Sequence, residues 1–319
     1  MRNASLLSAF ALFSCAYGQV PFQQRVDHAI TVRLDDQEHV LRSLARCTYH
    51  KNSPVALDTL WVHLWPNAYA DRHTALCHQL DAAGELDLHF ARPEDRGRID
   101  SLDFRAEDQA LLWGLHPQHA DIGWIKLPTP LAGGRSITVD TPFRVKVPDG
   151  RFSRLGHTGQ AYHITQWYPK PAVFDQEGWH AMPYLTQGEF FADFGRYEVS
   201  ITLPANYVVG ATGLLQNTEE NRWMDSLATV PAPERSGRKG AAPFPPSAPT
   251  WKTIRFVQDS VHDFAWFADK RFVVRKGEVL LPTSGRSVTT WALSTPRNAA
   301  LWENAMSYIN EALLQDRKS

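Results

Sequence analysis

The chain offers thirteen histidines, three cysteines and 34 acidic side chains from which a site could be built. His116-Pro117-Gln118-His119 has a His-x-x-His spacing, but Pro117 disfavours the helix that would stack the rings, and no cysteine or third ligand lies close. The pair reads as two solvated loop histidines. His157 and His163 stand six apart on either side of Gln160. Strand alternation would place both on one face, lining a pocket, whereas a loop between them leaves each to ordinary packing and hydrogen bonding. Ser153, His157 and Asp175 supply the residue types of a hydrolase triad, but no Gly-x-Ser-x-Gly elbow exposes a nucleophile, and that chemistry is rejected. Glu189 and Asp193, flanked by Phe190, Phe191 and Phe194, offer either an acid/base pair or a solvated edge over an aromatic core. The solvated edge is expected. No Gly-x-x-x-x-Gly-Lys-Ser/Thr or Gly-x-Gly-x-x-Gly occurs, so nucleotide binding has no support.

The elements that must position these side chains read as β. Residues 29–34 alternate with period two, and runs at 45–49, 59–65, 99–104, 122–127, 136–147, 197–203 and 207–211 continue the pattern between Pro, Asn, Asp and Gly punctuation. Further strands are expected at 253–257, 279–281 and 288–293, with 261–268 aromatic and apolar. A short amphipathic helix fits 217–227, and a Pro-rich surface loop fits 231–249. Residues 296–314 read as a helix, with Leu301, Ala305, Tyr308, Ile309, Ala312 and Leu313 at helical spacing. The aromatic run Trp61–Tyr69 suits a β-sandwich core, or a sugar-stacking platform if it is exposed.

Composition narrows the function. Lys plus Arg number 33 against 34 Asp plus Glu, a net charge of -1 that argues against a nucleic-acid partner. Residues 1–18 carry Arg2, an apolar run from Leu6 to Phe13 and Ala16-Tyr17-Gly18, the layout of a secretory signal cleaved before Gln19. Leu12-Phe13-Ser14-Cys15 admits a second outcome, lipid anchoring through Cys15. No run is long enough for a transmembrane helix. The expected location is therefore periplasmic or extracellular. The remaining cysteines, Cys47 and Cys77, fit either an exported disulfide or two separate buried thiols.

Near residue 150 the sequence becomes specific. Ser153-Arg154-Leu155-Gly156-His157 leads into Gln160-Ala161-Tyr162-His163-Ile164-Thr165-Gln166-Trp167-Tyr168-Pro169-Lys170-Pro171. Phe174-Asp175, Gly178-Trp179, Met182-Pro183-Tyr184 and the run 187–213 follow. With His63-Leu64-Trp65-Pro66-Asn67-Ala68-Tyr69, Asp95-Arg96-Gly97 and Val261-His262-Asp263-Phe264-Ala265-Trp266, they resemble the N-terminal part of aminopeptidase-N-like zinc metallopeptidases, peptidase family M1, in the exported Bacteroidetes-type subgroup. The resemblance spans essentially the whole chain after the leader.

It implies a mainly β fold: an N-terminal β-sandwich or saddle domain over 19–271, then the truncated start of an α+β thermolysin-like catalytic domain over 272–319. In that family zinc sits in a His-Glu-x-x-His helix with a distant Glu, where the first Glu acts on zinc-bound water. Neither His-Glu-x-x-His nor a Gly-x-Met-Glu-Asn-type loop occurs in this sequence. The resemblance thus implies a secreted aminopeptidase's non-catalytic part, inactive alone, with no zinc expected on this chain and peptide as the full-length substrate. The missing catalytic domain would be its packing partner, covering apolar faces of 272–314. Gln160, nine residues before Pro169, matches the residue that helps hold the substrate's N-terminal ammonium; a side-chain carbonyl accepts from such a donor. Where the family usually has Pro-Cys-x-Asp-x-Pro, this chain reads Pro169-Lys170-Pro171-Ala172-Val173-Phe174-Asp175. The alternative function is a secreted β-sandwich module that binds carbohydrate or protein without catalysis.

Overall fold

The computed structural model describes residues 22–188, 190–232 and 243–315. The expected leader with Cys15, the carboxylate Glu189, the middle of the Pro-rich stretch and the last four residues lie outside them. Along the chain the main strands are β1 (Arg25–Asp35), β2 (Val40–His50) and β3 (Leu57–His63), followed by the helix α1 (Ala75–Ala82). Next come β4 (Ile122–Leu131), β5 (Ser136–Lys146), β6 (Gly156–Thr158), β7 (Ala161–Ile164), β8 (Gly195–Pro204) and β9 (Val208–Ala211). The helix α2 (Thr218–Ala228) precedes β10 (Trp251–Val261), β11 (Trp266–Asp269), β12 (Val273–Leu280) and β13 (Ser287–Ser294), and α3 (Ala305–Gln315) follows.

Alternation builds the largest sheet. In β1, Val26, His28, Ile30, Val32 and Leu34 are buried while the residues between them are half-buried or exposed. The sheet runs β10–β8–β1–β2–β5, with short strands at both edges. Its central pairing, β1 with β8, is parallel, with Ile30 beside Val199 and Val32 beside Ile201. β1–β2, β2–β5 and β8–β10 are antiparallel. The outer face is polar, and its cross-strand partners interact: Arg46 grips Asp140 at 2.7 Å and Thr202 meets Thr253 at 2.8 Å.

Two four-stranded sheets share the core with it. One runs β6–β7–β11–β9; the other joins Lys170–Pro171, β3, β4 and Trp113–Leu115. Ile30, Tyr49 and Phe143 of the large sheet belong to one buried cluster with Val62, Ile125, Tyr162 and Trp266 of the smaller ones. The fold is mainly β, as the sequence implied. Trp65 and Tyr69 are 2% and 1% exposed, so these rings of the aromatic run are core, not a surface platform. A second, smaller cluster joins Met224 of α2 to Val208 and Val274, with Trp223, Phe272, Trp291 and Leu293 around it.

Two element expectations need correction. The strand expected over 99–104 stops at Asp100, because Ser101 takes φ +62°. The helix expected from Pro296 begins only at Ala305: residues 296–304 form turns in which Ala299 is buried but Leu301 and Trp302 are 70% and 54% exposed, too little apolar contact to hold a helix there. Cys47 and Cys77 are free thiols and not a disulfide; Cys77 is buried as the second alternative had it, whereas Cys47 is half-buried. Cys47 faces a core cavity of about 20 Å³ beside Pro169 and Pro171, and burial pushes its thiol up to about 12.

Candidate functional site

Gln160 sits at the tip of the β6–β7 hairpin. Thr158 pairs with Ala161, leaving Gly159 and Gln160 as a two-residue turn, and Gly159 takes φ +58°. Glycine at the first turn position is what a type II′ hairpin requires. A side chain there would also strike the Phe244 ring, over which the Arg271 guanidinium lies at 3.5 Å. The turn is thus pinned from outside.

The Gln160 amide is held on both sides. Its Nε2 donates to Asp36 Oδ2 at 3.2 Å and to the Asp36 carbonyl at 3.3 Å, and its Oε1 accepts from Lys270 Nζ at 2.5 Å. Asp36, buried, also accepts from the Tyr207 hydroxyl at 2.9 Å and the Ser247 hydroxyl at 2.5 Å. Burial pushes the Lys270 ammonium below its ordinary pKa, opposed by Asp36 and Asp269. A carbonyl oxygen has two lone pairs, so Gln160 can accept one further hydrogen bond.

A second charged pair lies at the other end of the same strand pair. β7 and β11 run antiparallel, with Ile164 beside Trp266. Just beyond that register the buried Lys170 ammonium lies 3.3 Å from Asp263 and 4.9 Å from the Trp65 ring. Asp263 accepts from the Tyr168 hydroxyl at 2.7 Å, the Phe264 N–H at 2.8 Å and Gln166 Nε2 at 3.1 Å. Burial alone would raise its pKa; Lys170, Tyr168 and Phe264 outweigh that and hold the carboxyl below its ordinary value. His63, stacked on Trp65 at 4.3 Å, and His28, stacked on Tyr197 at 4.7 Å, are each driven down to about 3 by burial, with the Lys170 charge adding to it. Both are neutral at physiological pH.

The other sequence candidates separate. His157 and His163 are on opposite faces of the hairpin, because His157 pairs with Tyr162 while His163 pairs with Gly156. His157 stacks on His39 at 3.6 Å, and His39 Nδ1 meets the Tyr162 hydroxyl at 2.8 Å. Ser153 bonds Tyr184 and Asp175 pairs with His180, so no triad assembles. His116 and His119 stack at 5.2 Å without joining a three-ligand group among the described residues. Asp193 overturns the solvated expectation: it is 4% exposed, and Oδ2 has no hydrogen-bond partner. Burial, with Asp175 nearby, pushes its carboxyl up to about 7.

Lys170 and Asp263 both lie within the stretches that carry the resemblance, but no local pattern pairs two residues so far apart in sequence. A lysine between two prolines on a buried run was the available signal.

No family model matches the chain, and no curated protein does. Two crystal structures of an M1 zinc metallopeptidase from Deinococcus radiodurans, one of a mutant, each match with a TM-score of 0.45 at 14% identity. These matches cover 87% and 86% of this chain and 48% and 47% of those chains. A two-domain M1 zinc metallopeptidase mutant bound to L-arginine matches with a TM-score of 0.43 at 13% identity, over 86% of this chain and 48% of that one. The chain therefore spans about half the length of these solved structures.

Proposed function

We propose that this chain is the N-terminal, non-catalytic part of an exported zinc aminopeptidase of the M1 type, with residues 19–271 as the saddle domain and 272–319 as the start of the catalytic one. The observation that supports this reading is the joining of two distant stretches that carry the sequence resemblance. Gln160–Pro171 and Val261–Trp266 meet as β7 and β11, knit by the Lys170–Asp263 pair and the Tyr168 and Gln166 hydrogen bonds. A resemblance spread over separate segments gains weight when those segments form one packed unit.

In this reading Gln160 uses the second lone pair of its carbonyl to take a hydrogen bond from the substrate's N-terminal ammonium. Asp36 and Lys270 orient the amide so that the oxygen keeps one direction. The sequence has no His-Glu-x-x-His, so the residues present do not fit the family's zinc, and the ligands must come from outside them. Hydrolysis then needs residues that this chain does not supply.

Two measurements test the proposal. Sequencing the coding DNA beyond Ser319 is expected to reveal an in-frame or frameshifted His-Glu-x-x-His; a genuine stop followed by an unrelated gene would count against it. Aminoacyl-p-nitroanilide assays of this chain with added zinc are expected to show no turnover. Turnover by the chain alone would refute its assignment as non-catalytic.

A further inference from the structure

Among the described residues, Cys77, Asp81 and His89 bring three different ligand chemistries together, their ligand atoms all lying within 4.8 Å of one another. Cys77 and Asp81 are four apart on α1, so one helical turn stacks them on the same face. Sγ lies 3.9 and 4.0 Å from the two carboxylate oxygens. The chain then folds back over the helix, anchored by the buried Leu88, and brings His89 Nδ1 to 2.9 Å from Asp81 Oδ2.

Both supports of the cluster are fixed. Thr74 caps α1, its Oγ1 accepting from the Cys77 N–H at 3.3 Å. Arg96 Nη2 donates to the His89 carbonyl at 3.2 Å. The cluster also stands at the border of core and solvent. Cys77 is buried, whereas the Asp81 and His89 side chains are 26% and 31% exposed, which leaves a way in for a cation.

We propose that Cys77, Asp81 and His89 bind a divalent transition metal of the zinc class, with thiolate, carboxylate and imidazole ligands and a fourth position open to solvent. This inference does not depend on the aminopeptidase reading. Tetrahedral coordination with bonds of about 2.3 Å to sulfur and about 2.0–2.1 Å to nitrogen or oxygen puts ligand atoms roughly 3.3–3.6 Å apart. Sγ must therefore close on the Asp81 carboxylate, and the imidazole open from it, by a few tenths of an ångström each, while Sγ and Nδ1, within 4.8 Å of each other, close by at most about 1.2 Å. On binding, the Cys77 S–H proton passes to solvent as the sulfur–metal bond forms. Without metal, His89 Nδ1–H donates to Asp81 Oδ2 at 2.9 Å; binding breaks that bond, the Nδ1 proton leaves through solvent while Nε2 is protonated, and the freed Nδ1 lone pair meets the metal. Thiolate and carboxylate neutralise the dication. A sulfur ligand selects against magnesium and calcium.

Cobalt(II) tests the site without any assay of activity. In the full chain carrying C15S and C47S, Cys77 is the sole thiol, and cobalt is expected to give one equivalent of a near-ultraviolet thiolate-to-cobalt charge-transfer band that zinc displaces. Adding Cys77→Ser should abolish the band, and His89→Ala or Asp81→Asn should weaken cobalt affinity at least tenfold with circular dichroism unchanged. Absence of the band in the sole-thiol protein overturns the proposal. So does a band whose midpoint is indifferent to both His89→Ala and Asp81→Asn, because a thiol acting alone is not this site. Should Cys77→Ser fail to fold, the other two variants still decide.

Discussion

Asp193 and the buried histidines make opposite demands on pH. The Asp193 carboxyl holds its proton up to about pH 7 in the folded chain, against an ordinary value of 3.8, so its contribution to stability is full below 3.8 and is lost as pH rises through 7. His28 and His63, at about 3, and His39, at about 4, refuse protons that the unfolded chain takes up below 6.5. Their contribution is full above 6.5 and is lost as pH falls toward 4 and 3. Asp193→Asn should therefore raise stability at pH 8 by on the order of 2–4 kcal/mol while changing it far less at pH 4, measured by urea unfolding at both values. Equal effects at the two values would mean that Asp193 is ionised at little cost. The sequence placed this carboxyl at a solvated edge because its neighbours in sequence are what a sequence displays. A backbone hydrogen bond from Gln24, far away in sequence, helps define its environment, and no local pattern encodes that. Gln160 was legible by its place in a motif, whereas its partners Asp36 and Lys270, 124 and 110 residues away, were not.

Among the elements, the strands were the most legible part, since one buried face writes itself into the sequence as alternation. β1 and β8 show this directly, with every second residue buried over most of their length. Helix ends were less so. The spacing of apolar residues before Ala305 is helical, but without a surface to cover Leu301 and Trp302 it does not determine the backbone. The neighbour of a strand is a non-local fact, and Gly195 records one. At the start of β8 the chain passes so close to β1 that a Cβ on Gly195 would lie 1.8 Å from the Val26 carbonyl oxygen, and the register with β10 shifts at the same point. Backbone cannot yield there as a side-chain tip would. Gly195→Ala should destabilise the chain by about 3 kcal/mol or more, read as a lowered urea midpoint; a loss under about 0.5 kcal/mol would show that the two strands can separate at this point.

On the scale of the whole molecule, the described residues hold two hydrophobic clusters of unequal size, and α2 contributes to the smaller one together with the β12–β13 hairpin. No helix among the described residues is long and apolar enough to cross a membrane. The export expectation rests on residues 1–18, and chemistry can check it: the protein released from its native host should begin at Gln19, as read by N-terminal sequencing. Lipidated protein beginning at Cys15, recovered with membranes, would select the anchored alternative, and an intact Met1 would remove the export reading. The parallel pairing of β1 with β8 carries a consequence for how the chain is made. His28 lies beside Tyr197, and β8 is flanked on its other side by β10, which ends at Val261. During synthesis β1 and β2 can form their hairpin early, yet the middle of the sheet stays open along one edge until β8 has emerged. The centre of this sheet therefore closes only after residue 195 has been made, so a chain cut short of β8 is expected to lack it.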